Sequence, residues 1–277
     1  MTSHYALGQA SPRVDGFTKV TGRADYTSDK SLPGILWAKC LRSPYPHARI
    51  VRIDVTKAMA LPGVHAVLTG KDVQGILYGR RMRDVPVLAD EVVRFVGERV
   101  AAVAADDTEI AQRAVELIEI DYEELPAVFE PEEALKPDAP LIHPDIQNYV
   151  GLPNVLENPT NGFVKDVWGR GSVEQGFSEA EIIVEGVYST QRTHQAYLEP
   201  HAGIVWIDND GRVQVWAPNK APHRLKLNLS DAIGLELDQI VVHHSTIGAD
   251  FGGKGSPMDI PVAYFLAVKT GRPVKTV

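Results

Sequence analysis

The period of apolar positions changes several times along the chain, and each change predicts an element. Between Gly34 and Val55 apolar and polar residues alternate, which predicts strands, interrupted at Pro44 and Pro46 because proline cannot donate to a ladder. The run VTKAMALPGVHAVLTGKDV reads as a short helix, a Pro-Gly turn and a buried strand over Val64 to Leu68. Another strand is centred on Val100 to Ala104. Behind it Ile110, Ala111, Ala114, Val115 and Ile118 fall at helical spacing, with Asp107 or Thr108 placed to cap that helix. IEIDYEELPAV follows as a strand. Strands and helices mixed at this pitch predict an α+β domain over residues 12–130, entered through a polar arm or irregular lead-in from Ser11 to Arg23.

Residues 131–161 break the pattern. Six prolines and few periodic apolar positions predict a linker or an extended crossing segment. Periodicity resumes in a second domain, residues 162–277. SVEQGFSEAEIIVEGVYSTQRTHQAYLEPHAGIVWIDNDGRVQVWAP contains at least three alternating runs, with Asp-Gly at a hairpin turn. APHRLKLNLSDAIGLEL predicts a helix, QIVVHHST a strand, and SPMDIPVAYFLAVKTG another helix. GRPVKTV reads as a strand beginning, with no polar tail behind it. The second domain is therefore expected to be incomplete in this chain.

The candidate chemistry lies between that last strand and helix, in IGADFGGKG from Ile247 to Gly255. Its four glycines permit positive φ and close backbone approach, and a helix beginning behind such a turn offers free N–H groups to an anion. Spacing alone leaves two readings open, a cradle for a phosphorylated ligand and a tight strand-to-helix turn. The loop is not a Walker A, since Gly255 follows Lys254, and it does not match G-x-G-x-x-G.

Composition narrows the partners. The 277 residues carry a net charge of −8, which argues against nucleic acid or an anionic membrane as the main partner. No run of 18 apolar residues occurs and the first twenty residues lack a signal-peptide core, so a cytoplasmic location is expected. Cys40 is the only cysteine, too few for a zinc knuckle or an iron–sulfur cluster; redox carriers would sit elsewhere. His194, Glu199 and His201 lie where a strand passes into a turn, without the spacing of a helical ligand pair, and read as structural. His243 and His244 are adjacent in a strand and face opposite ways. DYEELPAVFEPEEAL reads as a solvated surface.

Taken together, the sequence resembles the molybdenum-cofactor subunit of the xanthine oxidase family of molybdenum hydroxylases. The pieces are VDGFTKVTGRADYTSD, LRSPYPHARI, VGERVAAVAADD with YEELPAVFEPEEAL, QRTHQAYLEPH, and FGGK before GRPVK, in the family's order through nearly all of the chain. The resemblance implies an α/β hammerhead domain over residues 12–130 and the first part of a molybdopterin-binding domain over residues 162–277. It implies a molybdenum cofactor, plain or as the cytosine dinucleotide, bound by Asn219, Gly248, Ala249, Asp250, Phe251, Gly252 and Gly253, with backbone N–H groups of Phe251, Gly252 and Gly253 lining the molybdenum side. Lys254 and Gly255 would border the substrate, and the pterin dithiolene, not a side chain, would hold the metal.

Three departures qualify what the resemblance implies. Ala249 and Asp250 replace two glycines before Phe251, and a carboxylate beside an anionic pterin costs Coulomb energy unless it is paired or turned away. Asn219 stands where a glutamine is usual, and Gly255 where purine-oxidising members carry an acid. The catalytic-base glutamate of the family falls beyond the residues present, so a second molybdopterin-binding polypeptide is expected to supply it, with 2Fe-2S and FAD on further subunits. The implied reaction is oxidation of an aldehyde or N-heterocycle with water-derived oxygen. A non-catalytic scaffold and a hydratase on the same frame are the alternatives.

Overall fold

A computed structural model describes residue 8, residues 10–152 and residues 160–277. After a one-turn helix α1 (Gly16–Val20), the chain forms strands β1 (Leu36–Arg42) and β2 (Ala48–Asp54), helix α2 (Thr56–Met59) and strand β3 (Val64–Thr69). Short strands β4 (Leu77–Tyr78), β5 (Val85–Pro86) and β6 (Val92–Val93) precede β7 (Arg99–Ala105), helix α3 (Thr108–Glu116) and β8 (Glu119–Glu124). One-turn helix α4 (Pro131–Ala134) and helix α5 (Val173–Glu179) lead to β9 (Gly203–Ile207) and β10 (Val213–Trp216). Helix α6 (Pro222–Ile233), β11 (Ile240–His243), helix α7 (Ile260–Thr270) and β12 (Val274–Thr276) complete the order.

Seven of these strands form one sheet in the order β11-β10-β9-β12-β1-β7-β3. The strand begun in GRPVKTV therefore occupies the middle of the sheet. β12 pairs in parallel with β1 and antiparallel with β9, joining strands from both halves of the chain. A second sheet, β6-β2-β8, packs on a smaller cluster around Ala48, Val93 and Val100.

Two cores flank the large sheet. On one side α6 and α7 pack Leu225, Leu229 and Leu266 against Leu36, Val205, Val215 and Val274. On the other, α2 and α3 pack against Val67, Ala101, Val103 and Ala105. The strand β7 is apolar at every position after Arg99 because both its faces are covered, and its alanines let the helices approach closely. α3 starts where its cap predicts, with the Asp107 carboxylate accepting from the Ile110 amide at 2.8 Å. The hairpin β9–β10 turns at Asp210 and Gly211, whose φ is +79°.

Polar contacts also hold the halves together. The carboxylate of Asp259, at the start of α7, is held by Arg99 and, at 3.3 Å, by Arg42. Arg99 also reaches the Tyr78 hydroxyl at 3.1 Å, and that hydroxyl donates to the Met258 carbonyl at 3.0 Å. Lys275 on β12 donates to the carbonyls of Ser28 and Lys30 at 2.6 and 2.8 Å and lies over the Trp37 ring. Burial lowers the Lys275 pKa from its ordinary value. Cys40 packs against the main core, and burial pushes its thiol up to about 12.

Two expectations are corrected. The first alternating run of the second half, around residues 181–192, forms neither helix nor strand and is paired in none of the described sheets, and every residue from 163 to 196 is exposed. Among the described residues no strand pairs with it, so alternation there produces no ladder. The lead-in from Ser11 to Arg23 is not wholly irregular, since it contains α1, capped by its own backbone. Residues 153–159 of the expected linker lie outside the described residues; the remainder carries α4, a turn of 3-10 helix and irregular backbone.

Leu266 is fully buried on α7. Its replacement by alanine leaves a cavity and is expected to lower unfolding stability by about 2–5 kcal/mol in urea titration; a change under about 1 kcal/mol would remove α7 from the core. The His143 ring bonds the Tyr149 hydroxyl at 2.9 Å, and burial, then Arg94 and His47, push its pKa down to about 4 from 6.5. A depressed histidine pKa adds stability that is full above about pH 6.5 and is lost as pH falls toward 4. The melting temperature is therefore expected to fall across that window, and His143→Phe to flatten the slope; an identical slope in the variant would assign it to other groups.

Candidate functional site

The glycine loop follows β11, and its backbone is left-handed at three positions. Ala249 and Phe251 lie at φ +76° and +43°, and Gly252 at +92°. A non-glycine residue in this region stores strain and persists only where its surroundings over-determine it.

Those surroundings are a buried ion pair and a carboxylate inside the loop. Lys254 is turned inward, fully buried, and its ammonium donates to Glu199 Oε2. The same oxygen accepts from the Gly248 amide at 2.6 Å, and the Glu199 amide donates to the Gly248 carbonyl at 3.3 Å. Glu199 thus grips both ends of the loop. Lys254 also lies 4.9 Å from the centre of the Tyr197 ring, whose hydroxyl shares a hydrogen bond of 2.5 Å with His201 Nε2. Burial and then the Lys254 cation hold the His201 pKa below its ordinary value. The second Glu199 oxygen, Oε1, is buried without a partner among the described residues.

Asp250 organises the loop from within. Its carboxylate accepts from the Gly252 and Lys254 amides, the former at 2.9 Å, and its carbonyl accepts from the Gly253 amide at 2.7 Å. Lys220 pairs with the same carboxylate at 2.9 Å. That hydrogen bond, against a small desolvation and helped by the two loop amides, lowers the Asp250 pKa. The condition set by the sequence is met: the carboxylate is paired.

Space is as constrained as charge. A Cβ on Gly253 would lie 2.4 Å from the Tyr197 ring, and one on Gly248 2.5 Å from Glu199 Cβ. Asn219, almost wholly buried, donates to the Ser256 carbonyl at 3.1 Å and accepts from the Ala221 amide at 2.8 Å, tying the entry of α6 to the exit of the loop. The cavity behind the loop, between His201, Asn219, Lys254 and Asp259, is only about 20 Å³, room for roughly one water. A ligand of cofactor size can therefore meet the loop only on its outer face, where Phe251 is 72% exposed.

Several sequence expectations change accordingly. The amides of Gly252 and Gly253 do not point to a ligand, because Asp250 occupies them. The Lys254 side chain does not border an open pocket, because Glu199 draws it inward; Gly255, beside it, is buried as well. Nor does α7 begin directly behind the loop. Ser256 to Asp259 intervene, Pro261 sets the first turn, and the N-cap carboxylate belongs to the Arg99 and Arg42 contacts. His194 Nδ1 accepts from the Ala196 amide at 3.0 Å, and His243 stacks on Trp216. Among the described residues no three of His, Cys, Asp and Glu are arranged to hold a metal ion, and no helix is long and apolar enough to cross a membrane.

With this geometry in place, comparison with known proteins is informative. Residues 21–126 match the aldehyde oxidase and xanthine dehydrogenase a/b hammerhead domain, and residues 155–277 the molybdopterin cofactor-binding domain. The chain belongs to the xanthine oxidase family of molybdenum hydroxylases. It is 38% identical to a probable xanthine dehydrogenase component of Bacillus subtilis, over 95% of this chain and 34% of that protein. Against the nicotinate dehydrogenase large molybdopterin subunit of Eubacterium barkeri it is 35% identical, over 99% of this chain and 61% of the other. The crystal structure of a Cu,Mo-CO dehydrogenase in its carbon monoxide reduced state superposes with a TM-score of 0.87 at 33% identity, covering 98% of this chain and 35% of that one. The chain thus spans between about a third and three fifths of the length of these relatives.

Fit to the family's cofactor can be judged on the loop itself. The outer face is a preformed wall of strained backbone and exposed aromatic, with its one carboxylate neutralised by Lys220. It suits a large, flat group lying against it, and it does not suit a phosphate seated among the amides of residues 252–254. Replacing Lys254 with alanine would strand Glu199 as a buried unpaired charge and is expected to cost about 3–5 kcal/mol in chemical denaturation. Adding Glu199→Gln should recover a substantial part of that loss. Simple additivity of the two substitutions would show that the pair does not act as a unit.

Proposed function

We propose that this chain forms one wall of the molybdenum-cofactor pocket in a cytoplasmic molybdenum hydroxylase that oxidises an aldehyde or N-heterocycle. The single observation that carries the reading is the loop from Ile247 to Gly255, fixed from behind by Glu199 and Lys254 while its Phe251 tip stays open. When bound, the molybdenum cofactor, plain or as the cytosine dinucleotide, supplies the chemistry that inserts water-derived oxygen and receives the electrons. The chain's own residues bind and orient. Ala249, Phe251 and Gly252 present the outer surface, Gly248 and Gly253 keep it close to Glu199 and Tyr197, and Asn219 holds the loop's exit against α6. Asp250 is a positioning residue, since its carboxylate rigidifies the loop and Lys220 cancels its charge.

The rest of the pocket, with the catalytic base, comes from a second molybdopterin-binding polypeptide, and iron–sulfur and FAD subunits take the electrons onward. Relatives named as nicotinate, carbon monoxide and xanthine dehydrogenases support this reading. Gly255, in place of an acid, favours a substrate other than a purine. A scaffold without redox chemistry is favoured by one observation, that Asp250 closes the amides of Gly252, Gly253 and Lys254.

The complex purified from its host is expected to contain near-stoichiometric molybdenum and to turn over aldehydes or N-heterocycles with a dye acceptor. Gly252 sits at φ +92°, where a β-branched residue is strongly strained. Gly252→Val should lower both molybdenum content and turnover more than tenfold while the chain remains in the complex. Unchanged metal content and turnover would remove the loop from the pocket, and a complex free of molybdenum in the unaltered protein would favour the scaffold.

A further inference from the structure

The turn between β4 and β5 carries three arginines within the run RRMR, Arg80 to Arg83, on a chain whose net charge is −8. Their surroundings tell them apart. Arg83 is fastened: its guanidinium pairs with Asp231 on α6 at 2.7 Å, and its amide donates to the Val150 carbonyl at 2.9 Å. The backbone around it is closely packed. A Cβ on Gly79 would lie 1.8 Å from the Met82 carbonyl oxygen, and one on Gly151 2.1 Å from that of Arg81. Arg80 is therefore carried on a fixed turn, and its exposed side chain has no hydrogen-bond or carboxylate partner among the described residues.

That side chain reaches the exit of the glycine loop. A Cβ on Gly255 would lie 3.9 Å from Arg80 Nη1 and 3.4 Å from Lys220 Cε. Two cationic side chains from distant parts of the chain thus converge over a residue with no side chain of its own. Their charges are not balanced alike. Lys220 is paired with Asp250 at 2.9 Å, whereas Arg80 is unpaired, and Asp84, the acid of its own turn, forms no ion pair with it among the described residues. Like charges brought together cost Coulomb energy, which an anion between them reverses. An acid at position 255 would neutralise Arg80 from within; glycine leaves that to a ligand.

We infer that Arg80 and Lys220 form a subsite for a carboxylate carried by the substrate. This rests on the function proposed above and narrows its substrate to an aldehyde or N-heterocycle that bears a carboxyl group. Charge selects the carboxylate. Arg80 added to the Lys220–Asp250 pair leaves a single positive charge, which a monoanion neutralises and a phosphate, at about −1.5 to −2, exceeds. Geometry agrees with charge. The planar guanidinium fork matches both oxygens of a carboxylate, and the lysine adds a point charge beside it. Lys220 touches the loop at Asp250 and again at Gly255, so the subsite borders the loop where its wall ends.

Isothermal titration of the complex purified from its host tests this with benzoate and its neutral isostere benzamide, molybdenum being measured in the same sample. The unaltered complex should bind benzoate more tightly by about tenfold or more. That preference should shrink in high salt, because Arg80 is exposed. Arg80→Gln should bring the two affinities within about threefold of each other, and Arg80→Lys, which keeps the charge but not the fork, should retain an intermediate preference. Since Arg80 has no partner to lose, neither variant should lower the melting temperature. A molybdenum-containing complex that does not distinguish the two compounds, or still does so after Arg80→Gln, would overturn the subsite and leave the proposed function standing. A complex without molybdenum that prefers benzoate through Arg80 would overturn the proposed function and keep the carboxylate subsite. Neither molybdenum nor preference would overturn both. Orthophosphate binding more tightly than benzoate in competition with it, together with loss of molybdenum in Arg80→Gln, would assign the two cations to a phosphate of the cofactor and overturn the substrate assignment.

Discussion

The arrangement depends on one ammonium taken out of water. Lys254 has no exposed side-chain surface, and the Glu199 carboxylate, 55 residues earlier, makes that burial tolerable. Two charges withdrawn from solvent recover their desolvation cost only with close geometry, so the pair adds little net stability yet penalises any arrangement that parts them. Because Glu199 also holds the Gly248 amide, the penalty is passed to the loop backbone. Left-handed conformations at Ala249 and Phe251 would relax in a free turn. Here relaxation would move Gly248 or Lys254 away from a carboxylate that neither can leave.

The frame behind the loop is equally fixed. β12 lies between β9 and β1, so the sheet carrying the hammerhead strands and the sheet leading to the loop are one. The Asp259 contacts with Arg99 and Arg42 repeat that connection at the start of α7, a few residues past the loop. A rotation of one half against the other would break a parallel ladder and expose two arginines' partner at once. Rigid elements hold a binding surface more accurately than loops do, and the loop gains that accuracy by being clamped at both ends to such elements.

What could be read from the sequence was local. The Asp107 cap, the apolar β7 and the Asp-Gly hairpin each follow from residues within a few positions of one another. The family and the loop itself were legible for the same reason, being contiguous motifs. The parts that were not legible depend on distant partners. Nothing near Lys254 says that it turns inward onto Glu199, and nothing near Asp250 names Lys220, 30 residues away, as its counter-charge. The alternation at Ile182 to Tyr188 was visible, but alternation records what a strand needs and not whether its neighbour is present. α7 was placed too close to the loop because its apolar period begins before its proline-set first turn.

Asp250 changes how the loop can recognise a ligand. In a loop of glycines, amides at successive positions would be available to an anion and would lend their partial positive charge to it. Here the chain supplies its own anion, and the amides of Gly252 and Lys254 are satisfied before any ligand arrives. Lys220 then neutralises that anion at 2.9 Å, so the outer face is left close to electrically neutral. Such a face attracts a charged group weakly and a flat, polarisable one through contact area. Under the function proposed above, affinity for the cofactor's charged end would have to come from groups outside this loop. The loop's contribution reduces to shape, held by Tyr197 against Gly253 and by Glu199 against Gly248, where not even a methyl group could be added without displacing the wall.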